Sequence, residues 1–172
     1  MQADLFEQAP VCEASAPCAQ LVLAHTRESG PMGACAWAWT LFGAPLPRGL
    51  ATQGAGGSLV SQPGQPGLWA LEHALLSLQA ALPVQLTLDC TYVQSGIELG
   101  PVRRRAKFKD AAGQWVANAC TWQGVLDLLE LTDVRGVTVR ALSAHPAGVQ
   151  AELKRLFEDG HRIALRNDTA LF

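Results

Sequence analysis

A β-like run, residues 84–88 (VQLTL), ends on a lone acid, Asp89, and the pair Tyr92-Val93 follows almost at once. A carboxylate at the C-terminal end of a strand stands where an α/β sheet opens its ligand crevice, well placed to hold a metal ion. The bulky pair then starts a short helix that must pack back on the sheet. A plainer role for Asp89 is to cap that helix, because a side-chain oxygen there accepts from the first free backbone N–H groups.

With 172 residues the chain has the length of one domain and enough of it to bury a core. Hydrophobic residues make up 49% and charged residues 16%, which excludes a disordered tail. The formal net charge of −2 gives no global attraction for nucleic acid, so any such binding needs a local patch. No apolar run approaches the ~18 residues of a transmembrane helix, and no membrane partner is expected. Asp4 and Glu7 stand where a secretory signal would carry bases. The five cysteines (12, 18, 35, 90 and 120) are therefore expected as free thiols in a reducing cytoplasm. The spacing of Cys12, Cys18 and His25 fits no common zinc pattern.

Residues 1–19 lack periodicity, carry Pro10 and Pro17, and read as an extension. Residues 20–25 (QLVLAH) read as a strand. Residues 34–41 (ACAWAWTL) alternate small residues with Trp37 and Trp39, the period of a strand. A third strand is expected near 50–54 and a Gly/Pro/Ser-rich loop over 56–66. Residues 68–82 form an apolar helix stopped by Pro83, and 84–88 the next strand. A polar, basic stretch covers 100–113, followed by a helix over 120–131, a strand over 136–142 and a last helix over 147–158, with a tail beyond. The order β-β-β-α-β-α-α-β-α combines a meander with βαβ crossovers, hence a mixed sheet with helices on its faces.

The run Leu88-Asp89-Cys90-Thr91-Tyr92-Val93-Gln94-Ser95-Gly96-Ile97 resembles the third acidic motif of type 1 ribonucleases H, an acid-Ser-x-Tyr-Val-x-x-Gly-Ile pattern. Gly30-Pro31-Met32-Gly33-Ala34 is similar to that family's glycine-rich first hairpin. Asn118-Ala119-Cys120-Thr121-Trp122-Gln123 resembles its Asn-x-x-x-Trp-Gln lead-in to the helix after a basic protrusion, and His145-Pro146 precedes the last helix at the family's spacing. The resemblance spans roughly residues 20–158. It implies an α/β, ribonuclease H-like fold with a mixed five-stranded sheet flanked by helices, organised as an extension (1–19), a domain (20–158) and a tail (159–172).

The resemblance also implies four carboxylates holding two Mg²⁺ ions that clamp a scissile phosphodiester. Asp89 stands at the third acid's place. His25, followed by Thr26-Arg27, occupies the first, with Glu28 nearby. An ungapped count back from Asp89 puts Gly67 at the second, and Glu72 is the acid on that helix, about 140° around it. Ungapped spacing puts Glu152 at the fourth. The mobile catalytic histidine's place falls on Leu142, with His145 nearby. The set reads as degraded: Asp89 and Glu152 are the catalytic candidates, with Glu72, Glu28 and His145 as further ones. Should His25, Asp89 and Glu152 converge, one imidazole and two carboxylates would suit a single Zn, Mn or Fe better than Mg²⁺. Each also has a plain structural role, His25 as a hydrogen-bonded core histidine and Glu152 as a solvated helix-face residue.

Arg103, Arg104, Arg105, Lys107 and Lys109 place five of thirteen basic residues within seven positions. In the resembled family a basic protrusion beside tryptophans grips the DNA strand of a hybrid, and Phe108, Trp115 and Trp122 supply aromatics here. Such groups would contact phosphates with strong salt dependence and little sequence preference. The competing reading is a solvated loop. The expectation is a nucleic-acid-binding protein (RNA/DNA hybrid or duplex) with an impaired two-metal site. The alternatives are an active hybrid endoribonuclease with relocated acids, using Mg²⁺ or Mn²⁺, and a protein-interaction module that needs no cofactor and takes a protein partner.

Overall fold

A computed structural model describes residues 17–26, 32–78 and 82–169, with side chains as far as 167. Most of the expected N-terminal extension, and Glu28 with the start of the expected first hairpin, lie outside the described residues. Five strands, β1 (Ala19–His25), β2 (Cys35–Phe42), β3 (Gln53–Ser58), β4 (Val84–Leu88) and β5 (Val134–Val139), form one mixed sheet in the order β3-β2-β1-β4-β5. β1 and β2, and β2 and β3, pair antiparallel; β4 lies parallel to both β1 and β5. The helices are α1 (Gln65–Leu78), α2 (Thr91–Glu98), α3 (Gly100–Arg105), α4 (Ala119–Leu131) and α5 (Ala147–Thr169). Among the described residues no helix is long and apolar enough to cross a membrane.

Strand periodicity divides the core in two. Leu21, Leu23, Trp37, Trp39 and Leu41 face α1 and α4, packing with Leu68, Leu71, Leu75, Trp122 and Val125. The alternate positions Val22, Ala24, Ala36 and Ala38 face α5, against Leu153, Leu156 and Phe157. β1 is thus apolar on both faces because both are covered, as expected of a strand with parallel and antiparallel neighbours at the sheet's centre.

The third strand departs from expectation. Residues 53–58 (QGAGGS), read in part as loop, pair fully with β2. The glycines are required by the neighbours: a Cβ at Gly56 would overlap the Trp37 ring, and one at Gly54 would lie 2.5 Å from Trp39 Nε1. Large side chains on β2 fill the space that β3 leaves. The expected tail beyond 158 is also helical through Thr169. Gly160 lets it continue across the sheet, since its backbone lies against Gly56 and Gly57 with no room for a Cβ.

The basic stretch is a helix and a tight turn, not a long loop. α3 carries Arg103–Arg105 in its last turn, where cations oppose the negative helix end. Lys107 and Phe108 then adopt left-handed φ of 53° and 57°. The Asp110 carboxylate accepts from the N–H groups of Ala112 and Gln114, closing the turn before Trp115.

Candidate functional site

β1 and β4 run parallel and end side by side, which brings His25 and Asp89 together. The His25 backbone N–H donates to Asp89 Oδ2 at 2.6 Å, and His25 Nδ1 stands 2.8 Å from Oδ1. Both side chains are largely shielded, 16% and 14% exposed. Asp89 therefore spends its oxygens across the sheet; the N-terminus of α2 has no side-chain cap. Cys90, the next residue, completes a group in which one ligand atom each from His25, Asp89 and Cys90 lies within 4.8 Å of the others. Gly67, in the first turn of α1, faces this group: a Cβ there would stand 3.2 Å from Cys90 Sγ and 3.5 Å from His25 Nδ1. The three residues open on a cleft of about 510 Å³ whose far wall is Leu142, Ser143, Gln150 and Lys154.

His145 sits close behind this wall. Burial, then the Arg140 guanidinium, hold its imidazole below the ordinary range, while Asp89 pulls it the other way. Gln150 Nε2 donates to the backbone carbonyls of His145 and Ser143, at 2.7 and 3.2 Å, and ties this loop to α5.

Two expected acids lie elsewhere. Glu152 does not join Asp89, because it is two residues from Gln150 and so about 200° around α5. It turns to the opposite sheet edge, where Arg155 Nη2 donates to it at 2.8 Å and holds its carboxyl below the usual range. The Gln53 carboxamide of β3 bridges this pair, donating to Glu152 and accepting from Arg155. Glu72, about 7.5 Å further along α1 than Gly67, lines a different cleft with Trp37, Ser58, Trp69 and His73. Burial pushes its carboxyl up. The one group of three metal-ligating side chains among the described residues thus contains His25 and Asp89 but Cys90 in place of Glu152. The sequence signal for Cys90 was its place beside the acid in the 88–97 run.

The basic residues divide by structure. Arg103 lies over the Trp122 ring, 5.1 Å from its centroid, with Nη1 buried and unbonded. Arg104 donates to Asp127 at 2.7 Å and reaches Glu130 at 3.3 Å. Arg105, Lys107 and Lys109 are exposed and make no ion pair among the described residues, and Lys109 Nζ stands 5.3 Å from the Trp115 ring centroid. Trp122, expected to face nucleic acid, is instead fully buried. Its indole N–H donates to the Tyr92 hydroxyl at 3.2 Å, which also accepts from Asn118 Nδ2 at 2.9 Å, and its ring lies against Gly96 with no room for a Cβ. The exposed aromatic is Trp115, beside a 430 Å³ cavity with Phe108, Asn118, Thr121 and Gln123 on its wall.

No protein-family model matches the sequence, and no curated protein matches it either. Solved structures do. The RNase H domain of PFV in solution aligns over 86% of this chain and 96% of its own, with a TM-score of 0.62 and 14% identity. LC9-RNase H1, a type 1 RNase H with the type 2 active-site motif, aligns over 81% and 70%, with a TM-score of 0.66 and 13% identity. The fold is that of ribonuclease H. The foamy viral protease-reverse transcriptase, in complex with an RNA/DNA hybrid, aligns over 94% of this chain at a TM-score of 0.63 and 16% identity, and the chain spans 22% of its length.

On this ribonuclease H fold the described residues of the cleft do not offer the oxygen ligands that two magnesium ions need. Mg²⁺ is a hard cation that takes oxygen ligands, and two of them bring four positive charges. Among the described residues Asp89 is the single carboxylate lining the cleft; a glycine stands at 67, a histidine at 25, and α5 contributes Gln150 and Lys154.

Proposed function

We propose that this chain is a nucleic-acid-binding protein of the ribonuclease H fold that grips an RNA/DNA hybrid or duplex through the basic turn after α3 and does not run two-metal hydrolysis. The observation that carries the loss of hydrolysis is Gly67. The α1 position that faces His25 and Cys90 has no side chain, so no second carboxylate can reach Asp89 from that helix. Binding is supported by Arg105, Lys107 and Lys109, exposed cations with no ion-pair partner among the described residues, the last of them beside exposed Trp115. Exposed cations contact phosphates by releasing counterions, and a neighbouring aromatic can stack on a base or sugar. The hybrid bound by the foamy viral structure supports the same class of ligand.

The test is a fluorescence anisotropy titration of a labelled RNA/DNA hybrid at several salt concentrations, with the RNA strand checked afterwards on a gel in Mg²⁺ and in Mn²⁺. Binding that weakens steeply with salt, with the RNA intact, is expected. Binding indifferent to salt would overturn the binding half of the proposal. RNA cleavage that disappears in Asp89→Asn would overturn the other half.

A further inference from the structure

We infer that His25, Asp89 and Cys90 form a site for a single thiophilic divalent cation of the zinc class. The inference stands apart from nucleic-acid binding, which it neither needs nor implies. One imidazole nitrogen, one carboxylate oxygen and one sulfur already lie within 4.8 Å of one another. Ligand atoms around a tetrahedral zinc stand about 3.4–3.6 Å apart, given Zn–S near 2.3 Å and Zn–N and Zn–O near 2.0–2.1 Å. Small side-chain rotations, of the order of 1 Å, convert one arrangement to the other.

Three features support a cation there. Gly67 leaves open the space next to Cys90 Sγ and His25 Nδ1 that a Cβ would enter. The His25 backbone N–H holds Asp89 Oδ2 at 2.6 Å, which fixes the carboxylate's orientation as outer-shell hydrogen bonds do in metal sites. Charge also balances: a thiolate and a carboxylate neutralise one divalent ion, whereas two Mg²⁺ ions would meet, among the described residues, one carboxylate and, on the cleft wall, the Lys154 ammonium. A sulfur, nitrogen and oxygen set selects zinc over magnesium because magnesium takes hard oxygen donors and thiolate is soft. The 510 Å³ cleft leaves a fourth position to water, an open three-ligand arrangement rather than a closed structural one.

The test uses the reduced full-length chain. Co²⁺, as a spectroscopic stand-in for Zn²⁺, should bind one equivalent and give a thiolate-to-metal charge-transfer band in the near ultraviolet. The band should vanish on adding Zn²⁺ and be absent in Cys90→Ala, while Cys120→Ser keeps it. In the wild-type protein, Zn²⁺ should abolish alkylation of Cys90, read residue by residue by mass spectrometry, and leave exposed Cys120 labelled as before. This second measurement needs no variant, so poor folding of Cys90→Ala cannot mask the answer. No Co²⁺ or Zn²⁺ uptake, a band that survives Cys90→Ala, or Cys90 labelling unchanged by Zn²⁺ would each overturn the inference. None of these results alters the outcome expected with the hybrid.

Discussion

Neutralising Arg105, Lys107 and Lys109 together should flatten the salt dependence of hybrid binding by a calculable amount. The structure leaves these three exposed and without an ion-pair partner among the described residues, while Arg104 is held by Asp127 and Glu130 and Arg103 lies on Trp122. Each phosphate that is no longer neutralised lowers the slope of log K against log salt by about 0.9, so three of them remove about 2.7. Over a fourfold rise from 50 to 200 mM salt, that difference amounts to about 40-fold in affinity. The triple glutamine variant should bind more weakly than wild type at 50 mM and approach it at 200 mM. Arg104→Gln, which breaks an internal ion pair and leaves the phosphates gripped as before, should change the slope by well under one. Anisotropy titrations at four or five salt concentrations measure both slopes. A triple variant with the wild-type slope would refute the assignment of these residues, and an equal loss in Arg104→Gln would refute the division of the patch.

Restoring a carboxylate should restore hard-metal affinity. Gly67→Asp places an acid in the first turn of α1, facing His25 and Cys90, and 10 mM Mn²⁺ at about ten times its Kd would stabilise that variant by about 1.4 kcal/mol, a rise of roughly 3–6 °C in melting temperature; wild type should not respond in kind, and equal responses would show that position 67 does not face the ion. Trp122→Ala should cost about 3–5 kcal/mol, seen as a drop of roughly 6–20 °C in a thermal melt, because a fully buried ring and its bond to Tyr92 are removed. Trp115→Ala, at a residue 68% exposed, should leave the melt unchanged. Glu72→Gln should stabilise the protein at pH 7. Burial raises the folded-state pKa of Glu72, so wild type loses stability as pH rises from about 4.5 through that raised value, and the variant's advantage should close in urea melts at or below pH 4.5.

How much of this could be read from the sequence depended on whether a residue's neighbours were local. The alternation of Trp37 and Trp39 with Ala36 and Ala38 is a local pattern, and it divides the core into its two faces as expected. The strand ending at Asp89 and the helix after it were equally legible. The glycines of β3 look like loop residues until the two tryptophans beside them are placed, and those contacts cross strands. Spacing put Glu152 on the right helix, but which side of α5 meets the cleft is decided by the sheet beneath it, and Gln150 and Lys154 hold that side. Trp122 illustrates the same gap, since a tryptophan downstream of a basic run looks like a ligand contact until Gly96 and Tyr92 are seen to enclose it.

The glycine contact between β3 and α5 has a consequence for the order of folding. Gly57 and Gly160 are separated by most of the domain's sequence, yet a Cβ on Gly57 would run into the Gly160 carbonyl and one on Gly160 into the carbonyl of Gly56. β3 carries little side-chain surface of its own, so it gains little by docking before that distant helix arrives. Contacts of such long sequence separation form late, because the loop between them must be closed first. Until then the edge of β2 that β3 covers stays unpaired, and unpaired strand edges invite association between chains. Widening Gly160 by a single methyl group should therefore show itself first as aggregation during refolding.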